Sequence, residues 1–160
     1  MQGSRLVLSD AQRSMLSAPL AVQVSAGSLG LLPEVSRGWG VELDAEGRLS
    51  FVLLDAQTER LRAAIAETGR VAVNATNPLT MESYQFKGDV IEIAEPDEAA
   101  RQIADQRVAQ FTEAITRVGF VQGTAAGVAH PGPARRIVLQ VREIFDQTPG
   151  PGAGRRLGAP

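Results

Sequence analysis

The stretch Val71-Ala-Val-Asn-Ala-Thr-Asn-Pro-Leu-Thr-Met-Glu-Ser-Tyr-Gln-Phe-Lys-Gly88 decides the fold of this chain. Val71 to Ala75 reads as a strand, Asn77-Pro78 as a turn, and Met81 to Ile93 as a second, longer strand. A strand sends successive side chains to opposite faces, so Ser83, Gln85 and Lys87 point one way while Tyr84 and Phe86 point the other. A hydroxyl, an amide and an ammonium in a row suit a ligand that carries a polyol and ends in a phosphate. Hydroxyls need neutral hydrogen-bonding groups and a phosphate needs a cation. Lys87 is the only lysine among sixteen basic residues, which makes it conspicuous. A solvated sheet face would give the same row, so the surrounding sequence has to choose.

Along the second strand the apolar phase changes from Tyr84, Phe86 and Val90 to Ile91 and Ile93, which puts a bulge in or near Gly88. Upstream, Asp55 can cap a helix whose Leu61, Ala64 and Ile65 form an apolar stripe, with Gly69 placed to end it in a left-handed turn. Before that helix, Trp39, Val41 and Leu43 share one face of a strand, and Asp44-Ala-Glu-Gly47 turns the chain into Leu49 to Leu54. The latter run is almost wholly apolar. It is therefore expected to be covered on both faces, as a barrel wall pressed by a helix or a partner subunit would be. Leu20 to Ser25 reads as the first strand and Gly27 to Pro33 as a loop. Ser9-Asp-Ala-Gln12 has the spacing of a capping box and begins a short helix that carries Met15 and Leu16 inward and stops at Pro19.

Downstream, Pro96, Asp97 and Glu98 open the longest helix, in which Ala104, Val108, Phe111, Ile115 and Val118 recur at helical spacing until Gly119. The stretch from Gln122 to Pro133 is rich in Gly, Ala and Pro and reads as a loop, and Ile137, Leu139 and Val141 alternate as the last strand. This order lacks the strand-helix alternation of a doubly wound sheet. It predicts an α+β fold, a six-stranded antiparallel split β-barrel with flanking helices, because closure removes exposed sheet edges. We read residues 1–148 as one domain and 149–160 as a Gly/Pro-rich C-terminal tail with almost no apolar surface to hold it unless a partner or ligand does.

The 160 residues suffice for one domain with a real core. Sixteen basic against eighteen acidic residues leave no basic stripe for nucleic acid and no basic amphipathic helix for a membrane surface. With no cysteine and a single histidine, a disulfide framework, a thiolate metal site and a multi-histidine cluster within one chain are all excluded, and no metal site is expected. No run approaches the roughly 18 apolar residues of a transmembrane span, and the N-terminus lacks the pattern of a secretory leader. A cytoplasmic location is expected.

On these elements the chain resembles the flavin-binding split-barrel family typified by pyridoxamine 5'-phosphate oxidase, from about Leu16 to Gln147. The passage Val71-Ala-Val-Asn-Ala-Thr-Asn-Pro78 and the following Thr80-Met-Glu-Ser-Tyr-Gln-Phe-Lys-Gly88, similar to the family's glutamine-containing strand ending in glycine, carry the resemblance. It implies a homodimer holding two FMN molecules at the subunit interface. By the same resemblance, Thr80 and Lys87 match positions near the phosphate, and Ser83 and Gln85 match positions near the ribityl chain and ring edge. Thr58 falls where relatives carry a basic or hydroxyl phosphate ligand, at a helix N-terminus that itself favours anions. A phosphate near charge −2 calls for a second cation, which Arg37, Arg60 or Arg62 would have to supply. The tryptophan-containing and histidine-containing C-terminal pattern of the true oxidases is missing, so a vitamin B6 oxidase is not expected.

Three further features leave alternatives open. Gly38 and Gly40 flank Trp39 and make a flat patch that a planar ring could approach, or that a neighbouring backbone fills. Trp39 could stack on a ligand, yet its alternation with Val41 and Leu43 is also that of a core residue. His130, in a turn-forming Ala-His-Pro-Gly-Pro, could donate a proton or ligate haem, or simply be an exposed loop histidine. The expected function is thus an FMN-dependent oxidoreductase acting on a small molecule, with no side chain named as its acid or base. The competing expectation is a noncatalytic split-barrel binding or sensing protein for haem, a deazaflavin or no flavin.

Overall fold

The computed structural model describes residues 8–120 and 132–157. Helix α1 (Asp10–Met15) starts at the expected capping box: the Ser9 hydroxyl accepts from the Gln12 backbone N–H, and the Gln12 side chain accepts from the Ser9 N–H. Ser9→Ala should lower stability by about 1 kcal/mol, read as a melting temperature about 3 °C lower. Strand β1 (Ala21–Gly27) leads through a turn into β2 (Pro33–Arg37), then β3 (Trp39–Leu43) and β4 (Arg48–Leu54). Helix α2 (Glu59–Thr68) precedes β5 (Arg70–Thr76), β6 (Ser83–Ala94), the long helix α3 (Glu98–Arg117), β7 (Ala134–Asp146) and a two-residue β8 (Arg156–Leu157).

These strands form one antiparallel sheet in the order β2-β1-β5-β6-β7-β4-β3, with β8 paired to β7. The path has seven strands rather than six. The added strand is β2, whose Pro33-Glu-Val-Ser-Arg37 carries no buried apolar phase: Val35 is 68% exposed. Proline at the first residue of an edge strand loses no ladder bond. The two ends of the path, β2 and β3, are joined by the single residue Gly38, and one residue spans only about 3.8 Å. The sheet must therefore curl until its ends meet, which makes it a split half-barrel. Gly38 lies so close to the wall that a Cβ there would stand 2.7 Å from Val24 Cγ2.

Val22, Val24, Val71, Val73, Ala75 and Phe86 fill the barrel interior together with Leu49, Phe51 and Leu53 of β4. On the other face of β4, Leu54 packs against the cluster of Trp39, Phe111 and Ile115 that seats α3. The apolar run Leu49 to Leu54 is thus covered on both faces, and α3 is the cover. Trp39 and Val41 do not share a face as a regular strand would require. A bulge at Gly40 (φ +60) shifts the register, so Trp39 turns to α3 while Val41 turns to the interior. A Cβ on Gly40 would meet the Ala104 backbone at 3.1 Å. The flat glycine patch is therefore filled by neighbouring chain: Ala104 of α3 at Gly40, Val22 and Val24 at Gly38.

Asp55 does not cap α2. It opens a separate 3-10 turn, Asp55–Gln57, and its carboxylate faces Arg62 at 3.7 Å and Arg135 at 3.2 Å. Gly69 ends α2 in the left-handed conformation as expected (φ +65). Asp97 caps α3 by accepting from the Ala100 N–H, and Val118, at the end of the expected stripe, is exposed. Residues 147–157 double back on the sheet: the Gly154 N–H donates to the Asp146 carbonyl and the Asp146 N–H to the Arg155 carbonyl. The sequence offers no apolar reason for this. Among the described residues no helix is long and apolar enough to cross a membrane.

Candidate cofactor site

Pairing register places β1, β5 and β6 so that their outward-facing residues line up across the sheet. Gln23 on β1 pairs with Asn74 on β5, and Asn74 with Gln85 on β6. One step along, Ser25 pairs with Ala72 and Ala72 with Lys87, which in turn lies opposite Glu143 on β7. Every inward neighbour of these residues on β1 and β5 is a buried Val or Ala. The polar groups therefore cannot turn inward without cost, and they form a hydrophilic outer face.

Two clefts open on that face and share Ser25. A cleft of about 440 Å³ is lined by Gln23, Asn74, Thr76, Ser83, Gln85 and Gln147, with Val35, Met81 and Pro149 at its margin. It holds no charged side chain. Its neighbour, of about 510 Å³, is lined by Lys87, Arg70 and Arg142 with Asp89 and Glu143. There Arg142 is held by Asp89 at 2.8 Å, while Lys87 and Arg70 make no ion pair with a described residue. The Lys87 ammonium stands 4.6 Å from the centre of the Phe145 ring. A ring face holds a cation without neutralising it, so the charge remains available to an anion.

Of the residues expected from sequence, Ser83, Gln85 and Lys87 are brought to this face. Ser83 is nearly buried, and its hydroxyl is shared with Thr76 at 2.7 Å and with the Asn74 amide at 3.4 Å. It fixes the floor of the uncharged cleft. Thr80 lies in the exposed β5-β6 turn, where its hydroxyl accepts from the Glu82 N–H. Thr58 is buried at the start of α2 and donates to the Leu54 carbonyl at 2.6 Å. Trp39 is buried in an edge-on contact with Phe111, ring centres 6.1 Å apart.

Arg37 lies over the Phe111 ring at 5.3 Å, and burial lowers its guanidinium from the ordinary arginine value. It stands three strand spacings from Lys87 along the sheet, about 14 Å between backbones, and it does not line the Lys87 cleft. Arg60 is paired with Glu34 at 2.8 Å and Arg62 faces Asp55. None of the three expected second cations joins Lys87, whereas Arg70 and Arg142 line its cleft. Arg70 could have been found from sequence, because it stands two and four residues before Ala72 and Asn74 on the outward phase of β5. Arg142, Gln23 and Gln147 needed the strand pairing. His130 lies outside the described residues.

The Tyr84 hydroxyl, facing away from Gln85, is pushed up to about 12 by burial and then by the Glu82 carboxylate, to which it donates at 2.9 Å. It stays protonated at neutral pH and serves the packing of β6. With the Gln23 and Gln85 amides and the Lys87 ammonium paired to no described side chain, the residues fit a ligand whose neutral hydrogen-bonding part continues into an anionic end. FMN is such a ligand.

By sequence the chain matches no family model and no curated protein. Its fold does have solved counterparts. An F420 reductase shares 18% identity over 86% of this chain and 98% of its own, with a TM-score of 0.57. An FMN-binding protein from Syntrophomonas wolfei subsp. wolfei shares 11% identity, covering 83% and 81% of the two chains at a TM-score of 0.53. A candidate pyridoxamine 5'-phosphate oxidase from Lactobacillus delbrueckii shares 12% identity over 90% and 97%, at a TM-score of 0.54. This chain thus has the split-barrel fold of the pyridoxamine 5'-phosphate oxidase-like, FMN-binding proteins.

Proposed function

We propose that the protein binds FMN noncovalently on the outer face of β1, β5 and β6 and works as an oxidoreductase on a small molecule. The observation that carries this reading is the row Gln23-Asn74-Gln85, uncharged and outward-facing, ending beside the unpaired Lys87 ammonium. Gln23 and Gln85 would hold the ring edge and Asn74 the ribityl hydroxyls, while Lys87 and Arg70 would hold the phosphate. When bound, the flavin supplies the capacity to accept and return electrons or a hydride. The chain's own contribution is to bind, to orient, and to keep water off the covered face.

The second half of the reading is a homodimer with the site at the subunit interface. The uncharged cleft has a polar floor but an apolar margin, with Val35 and Met81 both more than half exposed. Leu29, Leu31 and Leu32, in the turn between β1 and β2, are exposed as well. A second copy seated there would bury this margin and close the cleft. The alternative of a noncatalytic ligand-binding protein gains from one observation: Arg142 and Arg156 are already paired with Asp89 and Glu143, leaving few free cations for a phosphate.

The test is to purify the protein without added cofactor, record its visible spectrum and mass in solution, and identify by mass spectrometry any molecule released on denaturation. One FMN per chain and a dimeric mass are expected. A colourless protein that takes up no added FMN would overturn the flavin reading in favour of the ligand-binding one.

A further inference from the structure

The C-terminal segment forms part of the uncharged cleft. Gln147 and Pro149 line it, and the segment is tied to its floor through the backbone of one residue. The Gln147 N–H donates to the Ser83 carbonyl at 2.8 Å, and the Ser83 N–H donates to the Thr148 hydroxyl at 3.1 Å. Thr148 is itself fixed by its N–H to the Asp146 carboxylate at 3.0 Å. Beyond it the chain turns through Gly150 (φ +151) and Gly154 (φ +85) and returns to pair Arg156 and Leu157 with β7. Arg155 reaches Asp146 at 3.6 Å and Arg156 reaches Glu143 at 3.5 Å. These polar ties form a strap across the end of the site.

The strap brings a fourth amide to the cleft. The side-chain amides of Gln23, Gln85 and Gln147 make no hydrogen bond with another described residue, and all three line the same uncharged space. A primary amide offers both a donor pair and an acceptor, so three free ones together complement a neutral, planar edge carrying carbonyl and imide N–H groups. They carry no charge to balance an anion, and a hydrocarbon would leave their hydrogen bonds unmade. We propose that the strap of residues 147–157 is a specificity wall, and that Gln147 contacts the imide-bearing edge of the bound ring. This inference rests on the flavin reading, and it assigns the ring and the phosphate to different clefts.

The experiment measures the affinities of FMN and of riboflavin, which lacks the phosphate, for the full chain and for Gln147→Ala and Gln147→Glu. Both substitutions should weaken both flavins by about tenfold, the loss of a hydrogen bond from a buried partner. Hydrogen exchange at the backbone N–H groups of Gln147 and Gly154 in the unliganded variants serves as the control. Unchanged protection there means that the strap is still docked and that the loss belongs to the amide. If protection is lost, Thr148→Val reports on the strap alone: it removes the hydroxyl tie and keeps Gln147, and weaker flavin binding is again expected. A wild-type protein that binds flavin while both Gln147 variants match it within twofold overturns the strap proposal and leaves the flavin reading standing. A wild-type protein that binds neither flavin overturns both.

Discussion

Gly88→Ala is expected to lower the melting temperature by about 10 °C. The Cβ that alanine adds would stand 2.0 Å from the Gln140 carbonyl oxygen and 2.9 Å from its carbon. Both are backbone atoms, so no flexible side chain can move aside. Gln140 is held on both flanks, by Arg48 of β4 and by Asp89 of β6, and room can be made only by opening the ladder. Overpacking of this kind costs about 3 kcal/mol, which at this chain length corresponds to the stated shift. Gly27→Ala is the matched control, since a Cβ there meets nothing within 4 Å, and its melting temperature should stay within about 3 °C of the parent. A Gly88→Ala protein that melts like the Gly27 variant would mean that the bulge relaxes at no cost and that the close approach of β6 and β7 is not fixed. The site is at stake as well, because the register shift falls between Lys87 and Gly88 and sets where the ammonium points.

The same position illustrates how far sequence reasoning reaches. The change of apolar phase around Gly88 announces a bulge because a two-residue period is a local property of the chain. The apolar run Leu49 to Leu54 announces coverage on both faces for the same reason. Strand β2 stays hidden because an edge strand with an exposed face has no periodicity to read. That Arg70 lines the Lys87 cleft stays hidden because the two residues share it only through the pairing of β5 with β6, and pairing is a long-range fact. Along the chain Arg60 and Arg62 lie nearer to Thr58, yet the fold pairs them with Glu34 and Asp55. The C-terminal strap is the extreme case: its glycines and prolines offer almost no apolar surface, yet backbone bonds to Ser83 and Asp146 hold it, and backbone bonds leave no trace in side-chain pattern.

Lys87→Ala is expected to weaken FMN about 30-fold and to leave riboflavin within twofold of the parent. A hydrogen bond from an ammonium to a phosphate is worth about 2 kcal/mol, and 2 kcal/mol corresponds to that factor in a dissociation constant. The loss is this large because the Lys87 ammonium sits over the Phe145 ring and pairs with no carboxylate of a described residue, so binding an anion breaks no ion pair there. Phe145→Leu, which removes the ring and keeps the charge, should change FMN affinity only a few-fold. Raising the salt concentration should narrow the gap between the parent and Lys87→Ala, because the cleft is open to solvent and its ionic contribution is screened. Equal losses for FMN and riboflavin would instead make Lys87 a residue that shapes the sheet face rather than one that reads the phosphate. Unchanged affinity for both would move the phosphate away from β6, with Arg37, about 14 Å along the sheet, as the next residue to replace. The ratio of the two affinities therefore assigns the anionic end of the ligand to one edge of the polar face or the other, independently of whether any substrate for the bound flavin has been found.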